Sequence, residues 1–151
     1  MSPFKPYRED ERPAALPVVP KRFDRNARLW GVRGVDRLAR SHVMVLGLGG
    51  VGSYAVEGLV RSGVGRLTLV DFDDVCVTNV NRQLPALPAT VGRSKAELMA
   101  ERVKAVNPLV QVESVAAFYE AKTAAAMLGR APDVIVDCID NVTAKLHLLA
   151  S

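Results

Sequence analysis

Cysteine and histidine are scarce in this sequence of 151 residues, which contains two of each. Two thiols, Cys76 and Cys138, cannot build the framework of a disulfide-rich secreted domain, and they lack the C-x-x-C spacing of a zinc site. We expect both to be reduced packing residues. His42 and His147 fall in a predicted strand and a predicted helix, so we interpret both as structural and expect no Ser-His-Asp arrangement.

Long hydrophobic runs are also missing, since none approaches the roughly 18–20 apolar residues needed to span a bilayer. Residues 1–20 contain the charged run 8–12 and no apolar core, which excludes the pattern of a signal peptide. The same stretch holds five of the nine prolines, which favours a disordered, Pro-rich tail. We therefore expect a cytoplasmic protein with no membrane partner and with its folded domain over residues 21–151.

Positive charge is concentrated at the N-terminal end of the chain. Residues 1–40 hold ten Lys or Arg and five Asp or Glu, whereas residues 41–151 hold ten and eleven. A polyanionic partner such as RNA would explain this basic segment. A solvated arm and helix would explain it equally well, and charge alone leaves both interpretations open.

Apolar runs alternate with helical patterns from residue 42 onward. Continuous apolar runs predict four strands, at 42–47, 66–71, 110–115 and 133–138. Segments bounded by Gly, Pro or capping residues predict helices at 51–62, 93–106 and 120–128, with a last helix after Asn141. We expect residues 21–40 to form short helical pieces and residues 72–92 to form an irregular connection.

This order of elements predicts an α/β fold: a Rossmann-like, doubly wound, mainly parallel sheet with an N-terminal helical segment. Right-handed crossovers place strand 4 beside strand 1, on the side away from strand 2. The loops after strands 1 and 4 then flank the crevice where such sheets bind ligands. Because the sequence stops in the helix after strand 4, we expect the first half only of a doubly wound sheet. It would be either a fragment incomplete at its C-terminus or a chain that another polypeptide completes.

A glycine-rich turn joins the first predicted strand to the first helix of this pattern. Residues 47–52 read G-L-G-G-V-G, with glycine at Gly47, Gly49, Gly50 and Gly52. Without side chains in the way, backbone N–H groups can approach phosphate oxygens, and the following helix directs its positive dipole end at them. The motif predicts phosphate binding but does not by itself identify the nucleotide.

Polar residues after the second predicted strand add to this signal. Asp71 ends that strand nineteen residues after Gly52, where an acidic residue meets a ribose hydroxyl. Capping of the next turn is the alternative role for Asp71. The polar run 78–83 includes Asn79 and Arg82, and the guanidinium fork of Arg82 matches phosphate oxygens. A solvated loop is the alternative for that run.

Two further charged residues indicate a triphosphate. Lys95 lies in the first turn of a predicted helix, where a lysine opposes the helix dipole unless an anion binds there; an ordinary exposed lysine is the alternative. Asp140 follows strand 4 near the glycine turn, where its carboxylate would repel a polyphosphate unless Mg²⁺ lies between them. Either Asp140 or Asn141 could instead cap the last helix.

Together these residues predict a site for a nucleoside triphosphate with Mg²⁺, because NAD requires neither a γ-phosphate clamp nor a metal. The G-x-x-x-x-G-K-[ST] loop of phosphoryl-transfer ATPases is absent, which favours attack at the α-phosphate, that is, adenylation. An NAD-dependent oxidoreductase stays the alternative if Arg82, Lys95 and Asp140 lie far from the glycine turn. A non-catalytic remnant is a further alternative.

Five ordered motifs resemble the ubiquitin-activating-enzyme-like adenylating family. They are the glycine turn, D-F-D at 71–73, N-x-x-R-Q at 79–83, V-G-x-x-K at 91–95 and D-x-x-D-N at 137–141. Within that family, residues 74–83, R-F at 22–23 and A-R-L-x-G at 27–31 look most like the tRNA threonylcarbamoyladenosine dehydratases. The alternative within the family is an adenylyltransferase that activates the C-terminal Gly-Gly of a ubiquitin-like sulfur carrier.

The resemblance implies ATP and Mg²⁺ as ligands, with Arg82, Lys95 and Asp140 as catalytic residues. The implied contacts are phosphates for Gly50, Asn79 and Arg82, ribose for Asp71, the α-phosphate for Lys95, Mg²⁺ for Asp140 and the nucleotide for Asn141. Arg25 matches an arginine that reaches the partner subunit's triphosphate in adenylyltransferase relatives, which implies a homodimer. The dehydratase resemblance implies a tRNA substrate, and the alternative implies a sulfur-transfer or ubiquitin-like partner.

Overall fold

The structure, a computed structural model, describes residues 18–151, so the tail predicted over 1–20 lies almost wholly outside the described residues. The strands of the described residues are β1 His42–Leu46, β2 Arg66–Val70, β3 Gln111–Val115 and β4 Val134–Asp137. The helices are α1 Asp24–Arg40, α2 Gly52–Ser62, α3 Lys95–Val106, α4 Ala121–Leu128 and α5 Val142–Ala150.

The four strands form one parallel sheet in the order β3-β2-β1-β4. The chain builds outward from β1 through β2 to β3 and then crosses to the other side of β1. The carboxyl ends of β1 and β4 therefore meet where the strand order reverses, which is where open parallel sheets bind ligands. The predicted doubly wound α/β fold is confirmed, including the place of β4 beside β1.

Helices cover both faces of the sheet because its central strands are apolar on both sides. On one face, β1 packs with Val56 of α2 and Met99 of α3. On the other face, it packs with Ala124 of α4 and Ala144 of α5. All five residues of β1 are buried, so the strand that leads into the glycine turn is fixed from both sides.

Helix α1 packs at the amino ends of the strands, on the opposite edge of the sheet from the glycine turn. The backbone N–H of Gly65 donates to the Leu38 carbonyl, and the Asn26 side chain donates to the Arg61 carbonyl at the end of α2. The predicted helical pieces are a 3₁₀ turn, Lys21–Phe23, and α1, which non-helical backbone interrupts at Gly31 (φ 72°, ψ 165°). Five-residue strands separate α1 from the glycine turn by about 17 Å.

Most element ends lie within one or two residues of their predicted positions. Helix α3 begins at Lys95, rather than near 93, because Ser94 is its N-cap and accepts the backbone N–H of Glu97. The prediction that both cysteines pack inside is wrong for Cys76, which is exposed, whereas Cys138 is half-buried. Among residues 18–151, no helix combines the length and the apolar character that a membrane span requires.

Candidate functional site

A pocket lies at the carboxyl ends of β1, β2 and β4, where the strand order of the sheet reverses. The predicted site residues in its wall are Gly47, Gly49, Asp71, Asn79, Arg82, Lys95 and Asp140. The structure thus brings together residues up to 93 positions apart in the sequence. Four predicted residues lie outside the wall: Gly50, Gly52, Asn141 and Arg25.

The glycines of the turn differ in what the fold requires of them. Gly47 has a φ of +88°, and a Cβ there would lie 2.7 Å from the Cys138 carbonyl oxygen; a Cβ on Gly52 would lie 1.8 Å from the Gly47 carbonyl oxygen. Packing therefore excludes a side chain at both positions. A Cβ on Gly49 or Gly50 would approach no atom closer than 3.4 Å. The fold itself leaves those two positions open.

Asp71 fixes the glycine turn from the end of β2. Its two carboxylate oxygens accept the backbone N–H of Leu48 at 2.7 Å and of Asp73 at 2.8 Å. Burial raises the pKa of Asp71, and these two hydrogen bonds and the nearby Lys95 oppose that rise. The hydrogen bond from the Asp73 backbone caps the turn after β2, which is the alternative role considered for Asp71. Each oxygen keeps a further lone pair for a ligand.

Lys95 is a buried cation, not the exposed helix lysine weighed as the alternative. Its side chain is 6% exposed, and its Nζ donates to Asp73 Oδ2 at 2.8 Å. The backbone N–H of Lys95 also donates to the Asp73 carbonyl. Asp73 therefore holds the start of α3 and directs the ammonium group along the pocket wall. This role of Asp73 was not predicted, because nothing in the local sequence pattern indicates that residues 73 and 95 meet.

The connection after β2 brings amide and guanidinium groups to the pocket. The Asn79 side-chain oxygen accepts the backbone N–H of Cys76 at 3.0 Å, while Arg82 donates to the Thr78 carbonyl and to the Asn81 side chain. Arg82 also lies beside Gly50, where a Cβ would meet its Cγ at an ordinary contact distance of 3.4 Å. Its remaining donors are open to an anion.

Ser53 connects this segment to the glycine turn. Its hydroxyl donates to the Gly49 carbonyl at 2.7 Å and accepts the backbone N–H of Leu84 at 3.3 Å. Next to Leu84, the Gln83 side chain is buried, and its Oε1 has no hydrogen-bond partner among residues 18–151. A buried acceptor that lines a pocket without a partner indicates a donor supplied by a ligand or its bound water.

At the end of β4, Asn141 caps the following helix, whereas Asp140 has a free carboxylate. The Asn141 side chain caps α5, accepting the backbone N–H of Ala144 at 3.0 Å. The Asp140 carboxylate lines the pocket and makes no hydrogen bond or ion pair with any other residue in the described range. Residues 18–151 contain no cluster of three or more potential metal-ligating side chains. A single free carboxylate fits Mg²⁺, which binds through one or two carboxylates together with substrate phosphates and water.

The pocket wall also contains an aromatic pair that the sequence did not predict. Phe72 and Phe118 meet edge to face with ring centroids 4.9 Å apart, and both are partly exposed. They follow β2 and β3, and both line the pocket beside Asp71. Two exposed rings beside the Asp71 carboxylate offer an apolar contact for a nucleobase. Only the sheet order brings them together, so no local motif could have indicated the pair.

Arg25 cannot reach this pocket within the same chain. It lies on α1 beside Asn26, which contacts the far end of α2. Eleven residues of α2 separate that end from the glycine turn by about 16 Å. Any contribution of Arg25 to the pocket must therefore come from a second copy.

Residues 23–150 match the family model described as "ThiF family". The chain belongs to the ThiF family. Its relatives in this family include tRNA threonylcarbamoyladenosine dehydratase of Haemophilus influenzae, 47% identical over 130 residues, covering 86% of this chain and 50% of the relative. Molybdopterin-synthase adenylyltransferase of Escherichia coli is 38% identical over 117 residues, covering 78% of this chain and 47% of the relative.

Solved ThiF-family structures agree with these sequence matches. The E. coli tRNA N6-threonylcarbamoyladenosine dehydratase TcdA, determined in complex with ATP, superposes with a TM-score of 0.84 at 45% identity. The match covers 86% of this chain and 54% of that chain. This chain spans about half the length of the curated relatives it matches.

Proposed function

We propose that this chain is the ATP-binding part of an adenylating enzyme that dehydrates threonylcarbamoyladenosine in tRNA. The observation that carries the proposal is the convergence of the glycine turn, Asp71, Arg82, Lys95 and Asp140 on one pocket. The 45% identity to a dehydratase solved with ATP supports the choice of nucleotide and reaction.

In this proposal each part of the pocket contacts a different part of ATP. Phe72 and Phe118 contact the adenine ring, and Asp71 accepts a ribose hydroxyl through its free lone pairs. The phosphates lie along Gly49 and Gly50 at the start of α2, whose first turn has no side-chain N-cap. Asn79 and Arg82 bind the outer phosphates, and Lys95 lies nearest the α-phosphate.

Asp140 is the proposed Mg²⁺ ligand because its carboxylate is free and lines the same pocket as Lys95 and Arg82. The metal would neutralise phosphate charge when bound. Asn141 contributes indirectly, since its cap fixes the start of α5 beside Asp140.

The proposed reaction follows from charge and leaving-group chemistry. An oxygen of the threonyl carboxylate attacks the α-phosphorus of ATP, and pyrophosphate leaves with the electrons of the broken P–O bond. The carbamoyl nitrogen then attacks the activated carbonyl carbon, loses its proton and closes the ring as AMP departs. The net change in the nucleoside is loss of water. Lys95 and Arg82 stabilise the charge that builds on the phosphates, so no protein nucleophile is required.

The test is formation of AMP and pyrophosphate from ATP in the presence of tRNA that carries threonylcarbamoyladenosine. We expect AMP release to depend on that modification and the nucleoside product to lose 18 mass units, the mass of water. AMP release that is equal with unmodified tRNA would contradict the dehydratase assignment, even if ATP binds.

A second candidate is activation of a ubiquitin-like sulfur carrier, favoured by the 38% identity to molybdopterin-synthase adenylyltransferase. It predicts ATP–pyrophosphate exchange that depends on a carrier ending in Gly-Gly. Exchange with the carrier and none with modified tRNA would favour this candidate over the dehydratase.

We also propose a homodimer in the cytoplasm, in which Arg25 of one copy reaches the pocket of the other. The support is that α1 lies at the amino ends of the strands, so Arg25 is too far from the pocket of its own chain to contact it. Sedimentation equilibrium with wild type and Arg25→Ala, together with ATP affinity, tests this. We expect a dimer in both and weaker ATP binding in the variant, and a monomeric wild type that binds ATP with the same affinity as the variant would overturn it.

A further inference from the structure

We infer that Gln83 recognises the N–H next to the carboxylate of the substrate, with its side-chain oxygen as the acceptor. The inference rests on the proposed function, because it concerns the carboxylate that the enzyme activates. In both candidate substrates, the carbon that bears this carboxylate also bears a nitrogen with one hydrogen. It is a ureido N–H in threonylcarbamoyladenosine and a peptide N–H in a Gly-Gly terminus. Gln83 therefore selects carboxylates that have a neighbouring amide or ureido N–H.

The Gln83 side chain combines burial with an unused hydrogen-bond acceptor. Gln83 is 8% exposed, it lines the pocket, and its Oε1 has no hydrogen-bond partner among residues 18–151. An unpaired buried acceptor costs free energy in the folded protein. Packing alone does not explain a glutamine there, since a methionine fills a similar space without a polar oxygen. A donor that arrives with a ligand does explain it.

Hydrogen bonds fix the Gln83 backbone, and its side chain lies beside the glycine turn. Gln83 donates its backbone N–H to the Asn79 carbonyl at 3.0 Å and accepts the Ala86 backbone N–H at 3.1 Å. The Gln83 Nε2 lies 3.6 Å from the position of a Cβ on Gly49. The carboxamide is thus next to the turn proposed to bind phosphates, and it directly follows Arg82 in the chain.

The amide group can present its oxygen to the pocket at little cost. The last torsion of a glutamine side chain is broad and roughly two-fold, so a half turn exchanges Oε1 and Nε2. Because Oε1 has no partner in the described part of the chain, the turn breaks no hydrogen bond of that oxygen. Ionised phosphate oxygens only accept hydrogen bonds, so the triphosphate cannot satisfy Oε1. The donor must come from the substrate or from water.

The geometry of an α-amino acid brings its N–H close to the reacting carboxylate. One carbon joins the nitrogen to the carboxyl carbon, which puts the nitrogen about 3 Å from a carboxylate oxygen. That oxygen must approach the α-phosphorus to within about 3–3.5 Å before it reacts. An acceptor beside the phosphates can therefore hold the N–H while the carboxylate attacks.

This hydrogen bond also fits the ring closure proposed for the tRNA substrate. The nitrogen next to the carboxylate keeps its proton, because its attack on the activated carbonyl would close a strained three-membered ring. The other nitrogen of the carbamoyl group attacks instead, loses its proton and closes a five-membered ring as AMP leaves. Gln83 holds the nitrogen that does not react and so orients the one that does.

The test uses two stable mimics of the acyl-adenylate, in which a sulfamate replaces the phosphate. One carries N-acetylglycine, and the other carries levulinate, which has the same chain with a CH₂ in place of the N–H. We propose to titrate each mimic into the full chain and to measure its affinity by calorimetry. We expect wild type to bind the N-acetylglycyl mimic at least about tenfold more tightly, because the levulinyl mimic leaves Oε1 unpaired.

Two variants separate recognition from a structural role. Gln83→Met removes the acceptor, so we expect it to bind the two mimics within about twofold of each other and to melt no lower than wild type. Gln83→Glu keeps an acceptor, so we expect the preference for the N-acetylglycyl mimic to return, although the negative charge weakens both affinities. Gln111→Met, at an exposed position of β3, is the matched control and should keep the wild-type preference.

The outcomes distinguish failure of this inference from failure of the proposed function. Equal affinity of wild type for the two mimics, or a preference that persists in Gln83→Met, would overturn the inference and leave the proposed function standing. A preference lost in Gln83→Met together with a lower melting temperature, and not restored in Gln83→Glu, would show a structural role and overturn it as well. If wild type binds neither mimic, the proposed adenylation is refuted, and the inference with it.

Discussion

At the scale of single residues, the four glycines of the turn fall into two pairs. Gly47 and Gly52 are required by the fold, since a Cβ at either would collide with backbone oxygen. Gly49 and Gly50 have room for a Cβ, so packing alone does not explain glycine there. A ligand that approaches the backbone does explain it.

Gly49→Ala should therefore separate binding from stability. We expect the free energy of unfolding to change by less than about 0.5 kcal/mol, because the new methyl group makes only ordinary contacts. We expect ATP affinity to fall at least tenfold, because the methyl group occupies phosphate space. Calorimetric titration and thermal unfolding measure the two effects.

The matched control is Gly58→Ala, on the exposed side of α2, where a Cβ meets nothing within 4 Å. This change should stabilise the protein by about 0.5–1 kcal/mol, because alanine favours the helix, and leave ATP affinity unchanged. Unchanged ATP binding by Gly49→Ala would show that Gly49 does not contact the phosphates.

Lys95→Met tests the buried cation. The methionine fills a similar volume, and the partner Asp73 is 47% exposed and can be hydrated, so we expect little change in stability. We expect at least a tenfold loss of ATP affinity and no change in adenosine affinity, because adenosine lacks phosphates. Lys104→Met, on the exposed side of the same helix, is the control. Parallel losses for ATP and adenosine would indicate a collapsed pocket instead of a lost charge contact.

At the scale of elements, alternating apolar runs were enough to predict the four strands, the main helices and the position of β4 beside β1. The reason is that continuous apolar strands must be covered on both faces, and right-handed crossovers then leave one order. The break of α1 at Gly31, the pairing of Asp73 with Lys95 and the contact of Phe72 with Phe118 were not predicted. Each depends on tertiary approach between segments whose local patterns give no sign of it.

The contact between α2 and α3 joins the helix that follows the glycine turn to the helix that begins at Lys95. Glu57 provides a test of this contact. Its carboxylate accepts two hydrogen bonds from Arg102 of α3 and one from Arg61, and the Arg102 bond lowers the pKa of Glu57. We expect Glu57→Gln to cost about 1 kcal/mol of unfolding free energy at pH 7. Denaturant unfolding measures it.

The pH dependence of that cost has a definite sign. A carboxylate whose folded pKa is lowered stabilises the protein above its unfolded pKa, near 4.5, and loses this effect as pH falls through the folded pKa. The difference between wild type and Glu57→Gln should therefore shrink below pH 4.5. Arg102→Gln should be non-additive with Glu57→Gln. A difference that stays constant to pH 3, or full additivity, would show that the ion pair does not stabilise the contact.

At the scale of the whole molecule, the two edges of the sheet carry different chemistry. The glycine turn and the charged residues proposed for ATP and Mg²⁺ lie at the carboxyl ends of the strands. The basic helix α1 lies at the amino ends. The sequence predicted the residues of the first edge from motifs. It predicted only an excess of positive charge for the second, because charge counts do not place residues on the fold.

The most direct measurement of the central claim is a calorimetric titration of this chain with ATP and with NAD, both in the presence of Mg²⁺. A pocket that combines Arg82, Lys95 and Asp140 with the glycine turn should bind ATP at least tenfold more tightly than NAD. NAD binding as tight as ATP binding, or tighter, would contradict the account.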